Sequence, residues 1–241
     1  NKINIDDLGY LIGPILNSGG RLGKSSYATE LLSSDNQELI SQKSLDLIDL
    51  NNKRKKIEIT ILRSIDFKKI EKDNENIIFY YDPNIHEGLL GIIAARLKDY
   101  FNKPAIVVTN SNNLLKGSAR SIYEYNIGKV IRYSLSKNLI INGGGHNMAA
   151  GFTLNKKNLS ALKNFILNDF SNNHHSLNST FFYDAEISSK AFNKTFFDEI
   201  SKIGPFGNGN PLPIYLIKNL RIIKSSILKE KYISCILRSK I

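Results

Sequence analysis

The pattern that most constrains the fold lies between residues 76 and 110. "NIIFYYD" is typical of a buried strand, "GLLGIIAARLKDYF" of a helix with one apolar face, and "PAIVVTN" of a second buried strand. A strand, a helix and a strand with short joins predict parallel pairing of the two strands. "LLKGSARS" predicts one more strand that ends in small residues. We therefore expect an α/β domain.

A long helix is predicted before this domain. Ser34, with Gln37 three residues later, has the pattern of a capping box, and no helix breaker follows before about Ser64. Its apolar residues at helical spacing are Leu47, Leu50, Ile57 and Ile61. The stripe is thin for so long a helix, which favours a connector between two domains. The stretch "GPILNSGGRLG" upstream of it is interpreted as a loop.

Further elements are predicted downstream. Helices are expected near 126–137, over "NKKNLSALKNFILNDF" and near 193–203. "SNNHHSLNS" is polar and aperiodic, which indicates a linker. Beyond it, "TFFYDAEI", "PIYLIKNLRII" and "KYISCILRS" have the composition of strands and predict the start of a small β domain, in the form of a partial barrel.

Charge and cysteine content indicate what kind of partner and which cellular compartment to expect. The net charge of +11 favours an anionic partner, although the abundance of Asn, Lys and Ile indicates an AT-rich genome and accounts for part of it. A single cysteine, Cys235, excludes an internal disulfide framework and favours a cytoplasmic protein. No apolar run is long enough to span a membrane. The chain begins without Met and ends on a predicted strand, so we expect a fragment.

Three glycines lead into a histidine in "INGGGHNMAAGF". Backbone N–H groups of Gly144 and Gly145 can form an anion nest, and His146 can donate to a phosphate oxygen. The residues alone leave open a metal ligand, a catalytic base, a phosphate contact, or a tight turn with an incidental histidine.

The strand end "KGSARS" is the second candidate for an anion site. Gly117 and Ser118 leave Arg120 free to project beside Ser121, and arginine with neighbouring hydroxyl groups can grip a phosphate. An exposed basic strand end is the alternative. Because both candidates lie in one α/β unit, they are expected at the same edge of its sheet.

Three more residues are weaker candidates. His86 precedes a helix start, where it can meet a phosphate or simply cap the helix. Asn17 and Arg21 lie in the glycine-rich stretch, where a plain interdomain turn is the alternative.

No metal site is predicted in this chain. His174 and His175 are adjacent, but a metal site needs three or four convergent ligands, and the surrounding residues are those of a polar linker. The acidic pair Asp6 and Asp7 has no histidine or further carboxylate near it in sequence.

Taken together, these segments resemble the bacterial RecJ single-stranded-DNA exonucleases of the DHH phosphoesterase superfamily. The matching stretches occur in the family's order over nearly the whole chain; they are "GPILNSGGRLG", "HEGLLGIIAARL", "KGSARSI", "GGGHNMAAGFTL" and "GPFGNGNPLP". The "GGGHNMAAG" stretch is typical of the DHH-associated domain, which other superfamily members and alanyl-tRNA synthetases also carry. The other stretches narrow the resemblance to RecJ.

The resemblance implies a domain order. It assigns 1–32 to the end of the catalytic DHH domain, 33–72 to the long connecting helix, 73–172 to the DHH-associated α/β domain and 173–241 to a partial oligonucleotide-binding (OB) fold. Such folds bind single strands through basic grooves and stacking aromatic side chains. The aromatic residues available for stacking are Phe181, Phe182, Tyr183 and Tyr215.

The implied chemistry is metal-dependent 5′–3′ hydrolysis of single-stranded DNA in repair and recombination. The Mn²⁺ or Mg²⁺ ligands of this family lie in the DHH domain, on the same or a separate chain, so this chain alone is expected to be inactive. The resemblance gives the terminal phosphate to Ser118 and Arg120, and places His146 as a phosphate contact near the scissile group. Asn17 and Arg21 would lie where the two domains meet.

Two positions depart from the family pattern. Ile15 stands where RecJ proteins usually have Arg, and Ile85 where they usually have Trp. The loss of an arginine is expected either to weaken the grip on the substrate or to mark a sequence under relaxed selection.

Two other functions are compatible with the sequence. One is a nucleic-acid-binding module without catalysis, which the missing metal ligands favour. The other is a DHH-type phosphoesterase that acts on short RNA or dinucleotides, which the long helix and the β domain disfavour.

Overall fold

The fold was analysed in a computed structural model, which describes residues 3, 5–173, 182–207, 209–230 and 232–239. The chain divides into two compact units. One is Gly9–Leu177, and the other comprises Asn1–Leu8 and Asn178–Ile241. The domain boundaries given above remain predictions.

The larger unit contains one five-stranded sheet. Its strands are β1 (Ile78–Tyr81), β2 (Ala105–Ser111), β3 (Leu114–Arg120), β4 (Asn142–His146) and β5 (Ala149–Leu154). The order across the sheet is β1-β2-β3-β5-β4. Only β1 and β2 pair in parallel, and all other pairs are antiparallel.

Seven α-helices belong to this unit in the described residues. They are α1 (Gly13–Arg21), α2 (Ser26–Ser33), α3 (Gln37–Ser64), α4 (Phe67–Asp73), α5 (Leu90–Phe101), α6 (Ile127–Ser136) and α7 (Leu159–Asn173). A π-helix at Asp7–Ile12 precedes α1, and 3₁₀ turns at Glu87–Leu89 and Lys156–Asn158 precede α5 and α7.

The sheet has a hydrophobic core on each face. On one face, residues of α6 and α7 pack against Leu115, Ala119 and Phe152. On the other, α5 packs against Ala105 and Val107 of β2. Since β2 is covered on both faces, it is apolar at consecutive positions rather than at alternate ones, as the sequence shows for a buried strand.

The predicted strand–helix–strand unit is confirmed by β1, α5 and β2. The register pairs Ile78 with Ala105 and Tyr81 with Val108. The helices predicted near 126–137 and over "NKKNLSALKNFILNDF" are confirmed as α6 and α7, although the second begins at Leu159, after a 3₁₀ turn at Lys156–Asn158.

The prediction of a loop over "GPILNSGGRLG" is wrong, because Gly13–Arg21 forms helix α1. Pro14 lies in its first turn, where the missing N–H costs no hydrogen bond. Packing overrides the poor helix propensity of the glycines: a Cβ atom on Gly19 would lie 2.5 Å from Lys24 O and 3.2 Å from Leu47 Cδ2. The Ser18 hydroxyl also donates to Leu47 O over 3.0 Å. The close contact between α1 and α3 therefore requires the small residues.

The long helix is confirmed as α3, but its cap and buried face differ from the prediction. Asn36, not Ser34, caps it, because the Asn36 side chain accepts hydrogen bonds from the N–H groups of Glu38 and Leu39. The buried residues of α3 are Leu47, Asn51, Arg54 and Glu58. Of the four predicted apolar positions only Leu47 is buried, and Ile61 packs partly buried against the core with α5, so the fully buried residues of this helix are mostly polar.

An ion-pair network centred on Glu58 connects α3 to α5. Arg54 Nη1 donates to Glu58 Oε2 over 2.7 Å, and Arg96 Nε of α5 donates to Glu58 Oε1 over 2.8 Å. Arg54 also donates to Asn51 Oδ1 through two nitrogens. The Glu58 side chain is only 8% exposed, so both of its oxygens need these partners.

The smaller unit contains α8 (Lys194–Lys202), β6 (Ala185–Glu186), β7 (Tyr215–Leu216), β8 (Leu220–Leu228) and β9 (Tyr232–Ser239). β6 pairs in parallel with β7, and β8 pairs with β9 as a hairpin. The predicted strand "PIYLIKNLRII" is divided into β7 and β8, since Asn219 adopts a left-handed conformation at φ 57°. Among the described residues these strands form no closed barrel.

In the part of the chain that the structure describes, no helix combines the length and apolar character needed to cross a membrane.

We expect Glu58→Ala to destabilise the larger unit by about 3–5 kcal/mol, because it leaves the buried Arg54 guanidinium without its carboxylate. Asp49→Ala is the matched control, since it removes the other i,i+4 ion pair of the same helix, Lys53–Asp49, whose side chains are both 62% exposed. Thermal melting should show a large drop for Glu58→Ala and none for Asp49→Ala. Equal melting temperatures for the two variants would contradict the role of the network.

Candidate phosphate-binding site

The sheet face opposite α6 and α7 is lined by small or polar residues on β3, β5 and β4. Leu115 and Ala119 of β3 point into the core with α6 and α7, so Ser118 and Arg120 point to the opposite side. The register aligns Ser118 with Gly151 and Gly144, and Arg120 with Ala149 and His146. These six residues, in two rows across three strands, are named the open face. Each row spans about 10 Å from β3 to β4.

The glycines of this region fall into two groups. A Cβ atom on Gly144 would meet nothing within 4 Å, and one on Gly151 would meet only Gly117 O at 3.9 Å. By contrast, a Cβ on Gly143 would lie 2.8 Å from Ile140 Cδ1, and one on Gly145 would lie 2.2 Å from Ala149 O. Packing therefore requires Gly143 and Gly145, whereas Gly144 and Gly151 keep side chains off the open face.

Arg120 lies against the amino-terminal turn of α5. Its Nη1 donates to Ala119 O over 2.9 Å and to Ser118 Oγ over 3.2 Å. A Cβ atom on Gly91 would lie 2.6 Å from Arg120 Nη2, so the guanidinium lies directly against the Gly91 backbone and would have to shift if a side chain were added there. The positive end of the helix dipole and the arginine therefore face the same space.

Arg21 reaches this place from the end of α1. Its Nη1 donates to Gly88 O over 3.2 Å, and a Cβ on Gly88 would lie 2.3 Å from Arg21 O, so α1 packs directly on the turn that precedes α5. Burial, and next to it the neighbouring Arg54, lower the pKa of Arg21. Burial, together with Arg21, lowers the pKa of Arg120. The two guanidinium groups repel each other, and an anion between them would relieve that repulsion.

His146 and His86 have the same local geometry. His146 Nδ1 accepts from Met148 N over 3.3 Å, and His86 Nδ1 accepts from Gly88 N over 3.1 Å. A neutral imidazole that accepts at Nδ1 carries its proton on Nε2, which makes Nε2 a donor. Both histidines are exposed. Each can thus donate to an anion, and His86 also caps the 3₁₀ turn, as the alternative interpretation proposed.

Asn17 and Arg21 line a second feature, an open cleft of about 490 Å³ between α1, α3 and α5. Its lining residues are Gly9, Tyr10, Leu11, Pro14, Asn17, Arg21, Asn51, Arg54, Lys55, Ile92 and Arg96. Four of these are cationic, and none of these residues, all within the described part, is acidic. This set is named the basic cleft. Arg21 lines it and also donates to Gly88 O at the turn before α5, on the side of the open face.

Besides Gly145, two other residues proposed as substrate contacts have packing roles. Ser121 is buried, and its hydroxyl donates to Tyr125 O over 2.6 Å. Gly117 lies beneath the Phe152 ring, where a Cβ would be 2.1 Å from Cζ. Both belong to the face that packs on α6 and α7, because side chains alternate along a strand.

The two departures from the family pattern lie in packed positions. Ile15 is half-buried in α1, and its carbonyl accepts from the Ser18 hydroxyl over 2.6 Å. Ile85 is 4% exposed, packs with α5, and accepts from the Thr109 hydroxyl over 2.7 Å.

Sequence reasoning missed several residues of the site. Gly91 interrupts an otherwise good helical sequence at a cost of about 1 kcal/mol relative to Ala, and this was the available signal. Gly151 follows "AA" in the quoted motif and was not singled out. Tyr10, Lys55 and Arg96 gave no signal, because only the fold brings α1, α3 and α5 together.

No group of three or more His, Cys, Asp and Glu residues that could hold a metal ion occurs within the described residues. His174 and His175 lie outside the described residues, as does Phe181. Of the other aromatic candidates, Phe182 and Tyr183 are exposed, whereas Tyr215 packs edge-on against Phe196 with ring centroids 5.1 Å apart.

Comparison with known proteins gives two domain matches. The sequence model of the DHHA1 domain matches residues 74–172, and that of the RecJ OB domain matches residues 183–240. The first range includes the open face but not α1.

Similar proteins carry the name single-stranded-DNA-specific exonuclease RecJ. That of Haemophilus influenzae is 34% identical over 220 residues, which are 87% of this chain and 38% of that protein. That of Bacillus subtilis is 28% identical over 226 residues, 90% of this chain and 28% of that protein. The chain therefore spans less than two fifths of these relatives.

Solved structures share the fold. The crystal structure of RecJ in complex with Mg²⁺ from Thermus thermophilus has a TM-score of 0.78 and 24% identity, over 97% of this chain and 36% of that one. The same protein in complex with Mn²⁺ gives a TM-score of 0.79 over 97% and 35% of the two chains.

We expect Gly143→Ala to destabilise the larger unit by about 1–3 kcal/mol, because the added methyl overpacks against Ile140 and Phe152. Gly144→Ala, one residue away in the same strand, should leave the melting temperature unchanged or slightly raised, since alanine has open space there. Thermal melting of both variants checks this. A large drop for Gly144→Ala would show that packing requires that glycine too.

Proposed function

The chain belongs to the RecJ family, whose DHH-associated and OB domains it carries, and from this premise we propose that it is the substrate-gripping, carboxyl-terminal portion of a 5′–3′ single-stranded-DNA exonuclease. The observation that carries the proposal is the juxtaposition of Arg21 and Arg120 beside Ser118 and the first turn of α5.

A terminal phosphate is the ligand that suits this place. It brings up to two negative charges between two cations that otherwise repel each other. Guanidinium groups bind phosphate through paired N–H donors, and the amino-terminal turn of α5 favours negative charge. The Ser118 hydroxyl adds a donor that rotates to suit the bound oxygen.

The open face gives the strand a path away from that phosphate. Gly151 and Gly144 allow sugar and phosphate to approach the sheet backbone, because no side chain stands above them. His146 lies about 10 Å across the sheet from Arg120, with Nε2 as its donor. We propose His146 as the phosphate contact nearer the scissile bond, and not as a general base.

Hydrolysis itself is proposed for the full-length family protein. The residues described gather no donor set for Mg²⁺ or Mn²⁺, the ions bound in the solved RecJ structures. A DHH domain, on the same or a separate chain, would supply those ligands and with them the activated water. The role of this chain's residues is to hold and orient the strand. A cytoplasmic location and a role in DNA repair and recombination remain predictions.

A nucleic-acid-binding module without catalysis is the second candidate, and the lack of a metal-ligand cluster in the described residues favours it for this chain in isolation. Turnover in the presence of the DHH domain separates the two functions. A phosphoesterase acting on short RNA or dinucleotides is not favoured, because the chain also carries the RecJ OB domain.

The proposal predicts a preference for a 5′-phosphate. This chain should bind a 5′-phosphorylated single strand more tightly than the same strand with a 5′-hydroxyl. Arg120→Ala should abolish this difference in affinity. It should weaken binding of the phosphorylated strand by roughly 10- to 100-fold, the effect of losing a hydrogen bond between charged groups. Arg63→Ala, at an exposed arginine near the end of α3, is the matched control and should keep the preference. Fluorescence anisotropy at fixed salt measures all six affinities, those of the wild type and both variants for each of the two strands.

The result that contradicts the proposal is equal affinity of the wild-type chain for the two strands. If Arg63→Ala removes the 5′-phosphate preference as Arg120→Ala does, the preference comes from the net charge of the chain and not from Arg120. Mn²⁺-dependent cleavage in the same samples would reveal a metal site in this chain. It would contradict the proposal that this chain holds the strand while a DHH domain supplies the metal ligands.

Gly144→Ala tests the path across the open face. Since it leaves the fold intact, a loss of single-strand affinity would come from the methyl group alone. We expect weaker binding of the phosphorylated strand, with the preference over the hydroxyl strand retained, because Arg120 and Ser118 are unchanged. Unaltered affinity would mean that the strand does not cross Gly144.

A further inference from the structure

We propose that Asn126, the amino-terminal cap of α6, is a positioning residue for His146 and acts through the side chain of Asn147. The observation that carries the inference is a hydrogen bond of 2.6 Å from Asn126 Nδ2 to Asn147 Oδ1, named the amide bridge. The inference rests on the proposed function, because it takes His146 as a phosphate contact. It deepens that function by assigning two residues to which neither the resemblance nor the sequence motifs give a role.

The imidazole of His146 needs support from its surroundings. His146 ends β4 and pairs with Ala149 of β5, so only Asn147 and Met148 connect the two strands. The imidazole is exposed, and its Nδ1 accepts from Met148 N over 3.3 Å, which is longer than an ordinary N–H hydrogen bond. The direction of Nε2 therefore depends on how firmly the 146–149 turn is held.

The first turn of α6 packs directly on this turn. A Cβ atom on Gly128 would lie 2.6 Å from His146 O, so the helix backbone lies against the backbone of the histidine. Ile127 N donates to Asn147 O over 3.2 Å. The amide bridge is thus the side-chain part of a contact that the two backbones also make.

Two more hydrogen bonds join the turn to its neighbours. Arg132 Nη1 of α6 donates to Gly145 O over 2.7 Å. Ser121 N donates to Met148 O over 2.9 Å, and Ser121 directly follows Arg120 in the chain. The position of the turn is therefore set relative to both α6 and the strand that carries the terminal-phosphate site.

Asn126 has two roles that a substitution can separate. Its Oδ1 accepts from Lys129 N over 2.9 Å and caps α6. Because only Oδ1 can accept from a backbone N–H, the cap leaves Nδ2 as the donor to Asn147. Serine caps helices about as well as asparagine, but this shorter side chain carries no second group for Asn147. Asn126→Ser accordingly keeps the cap and removes the amide bridge.

The loss of the amide bridge should affect only ligands that reach His146. A phosphate bound at Arg120 lies about 10 Å across the sheet from His146, because the two residues stand on the outer strands of a three-strand row. Thymidine 5′-monophosphate at Arg120 does not extend that far. A longer single strand that crosses the open face does.

The first test compares two ligands, thymidine 5′-monophosphate and a 5′-phosphorylated thymidine octamer. Asn126→Ser should weaken binding of the octamer by roughly 2- to 10-fold, the net effect of one hydrogen bond, and leave the monophosphate affinity unchanged. Asn36→Ser is the matched control, because it makes the same substitution at the cap of α3. It should change neither affinity, and both variants should melt at the wild-type temperature.

The second test follows the imidazole itself in long-range ¹H–¹⁵N spectra of the histidines. Asn126→Ser should shift the Nδ1 resonance of His146 and leave that of His86, whose Nδ1 has the same local geometry, in place. Asn147→Ala removes the amide bridge from its other end and should reproduce the shift and the loss of octamer affinity. The double variant should lose no more than either single variant, since both act on one bond.

The positioning role is overturned if His146→Ala weakens octamer binding and Asn126→Ser does not. It is equally overturned by an unmoved His146 Nδ1 resonance in Asn126→Ser, by an equal loss for thymidine 5′-monophosphate, or by losses that add in the double variant. Failure of the proposed function gives a different result: His146→Ala itself would then leave the octamer affinity unchanged, and the inference would fall with its premise.

Discussion

The buried carboxylate of Glu58, shared between Arg54 and Arg96, is the interaction on which the geometry of the site depends. It fixes α3 against α5, and α5 in turn packs on the sheet that carries Ser118 and Arg120. Helix α1 is held to α3 through Ser18 and the close approach at Gly19. Because of this chain of contacts, Arg21 at the end of α1 lies against Gly88, before α5, while Arg120, 99 positions later in the sequence, lies against Gly91 in the first turn of α5. The network thus sets the relative placement of Arg21 and Arg120.

The glycines show how one residue type serves both packing and binding in neighbouring positions. Gly143, Gly145 and Gly117 are required because core atoms or backbone occupy the space of a side chain. Gly144 and Gly151 meet no such restriction and lie side by side in register. Since glycine in a strand costs about 0.5–1 kcal/mol relative to alanine, keeping it where the fold does not demand it is best explained by a ligand that needs the space.

The parts of the fold that sequence predicts are those decided by local pattern. The apolar runs predicted β1, α5 and β2, and the small residues at the end of β3 indicated a place where Arg120 projects. The helix α1 was not predicted, because its glycines are tolerated only through contact with α3. The polar buried stripe of α3 was missed for a similar reason. Asn51, Arg54 and Glu58 look like solvent-facing residues until their bonds to one another, and that of Glu58 to Arg96 of α5, are known. Ser121 was assigned to the ligand from its position in "KGSARS", but strand alternation turns it into the core.

The central claim is that Arg21 and Arg120 hold one phosphate between them. The most direct measurement is a titration of the chain with thymidine 5′-monophosphate, followed by the Nε–H resonances of its arginines in ¹⁵N-labelled protein. The account predicts saturable shifts at Arg21 and Arg120 with one common dissociation constant, and none at Arg63, an exposed arginine in the last turn of α3. Shifts of similar size at Arg63, or separate dissociation constants for Arg21 and Arg120, would contradict a shared phosphate site.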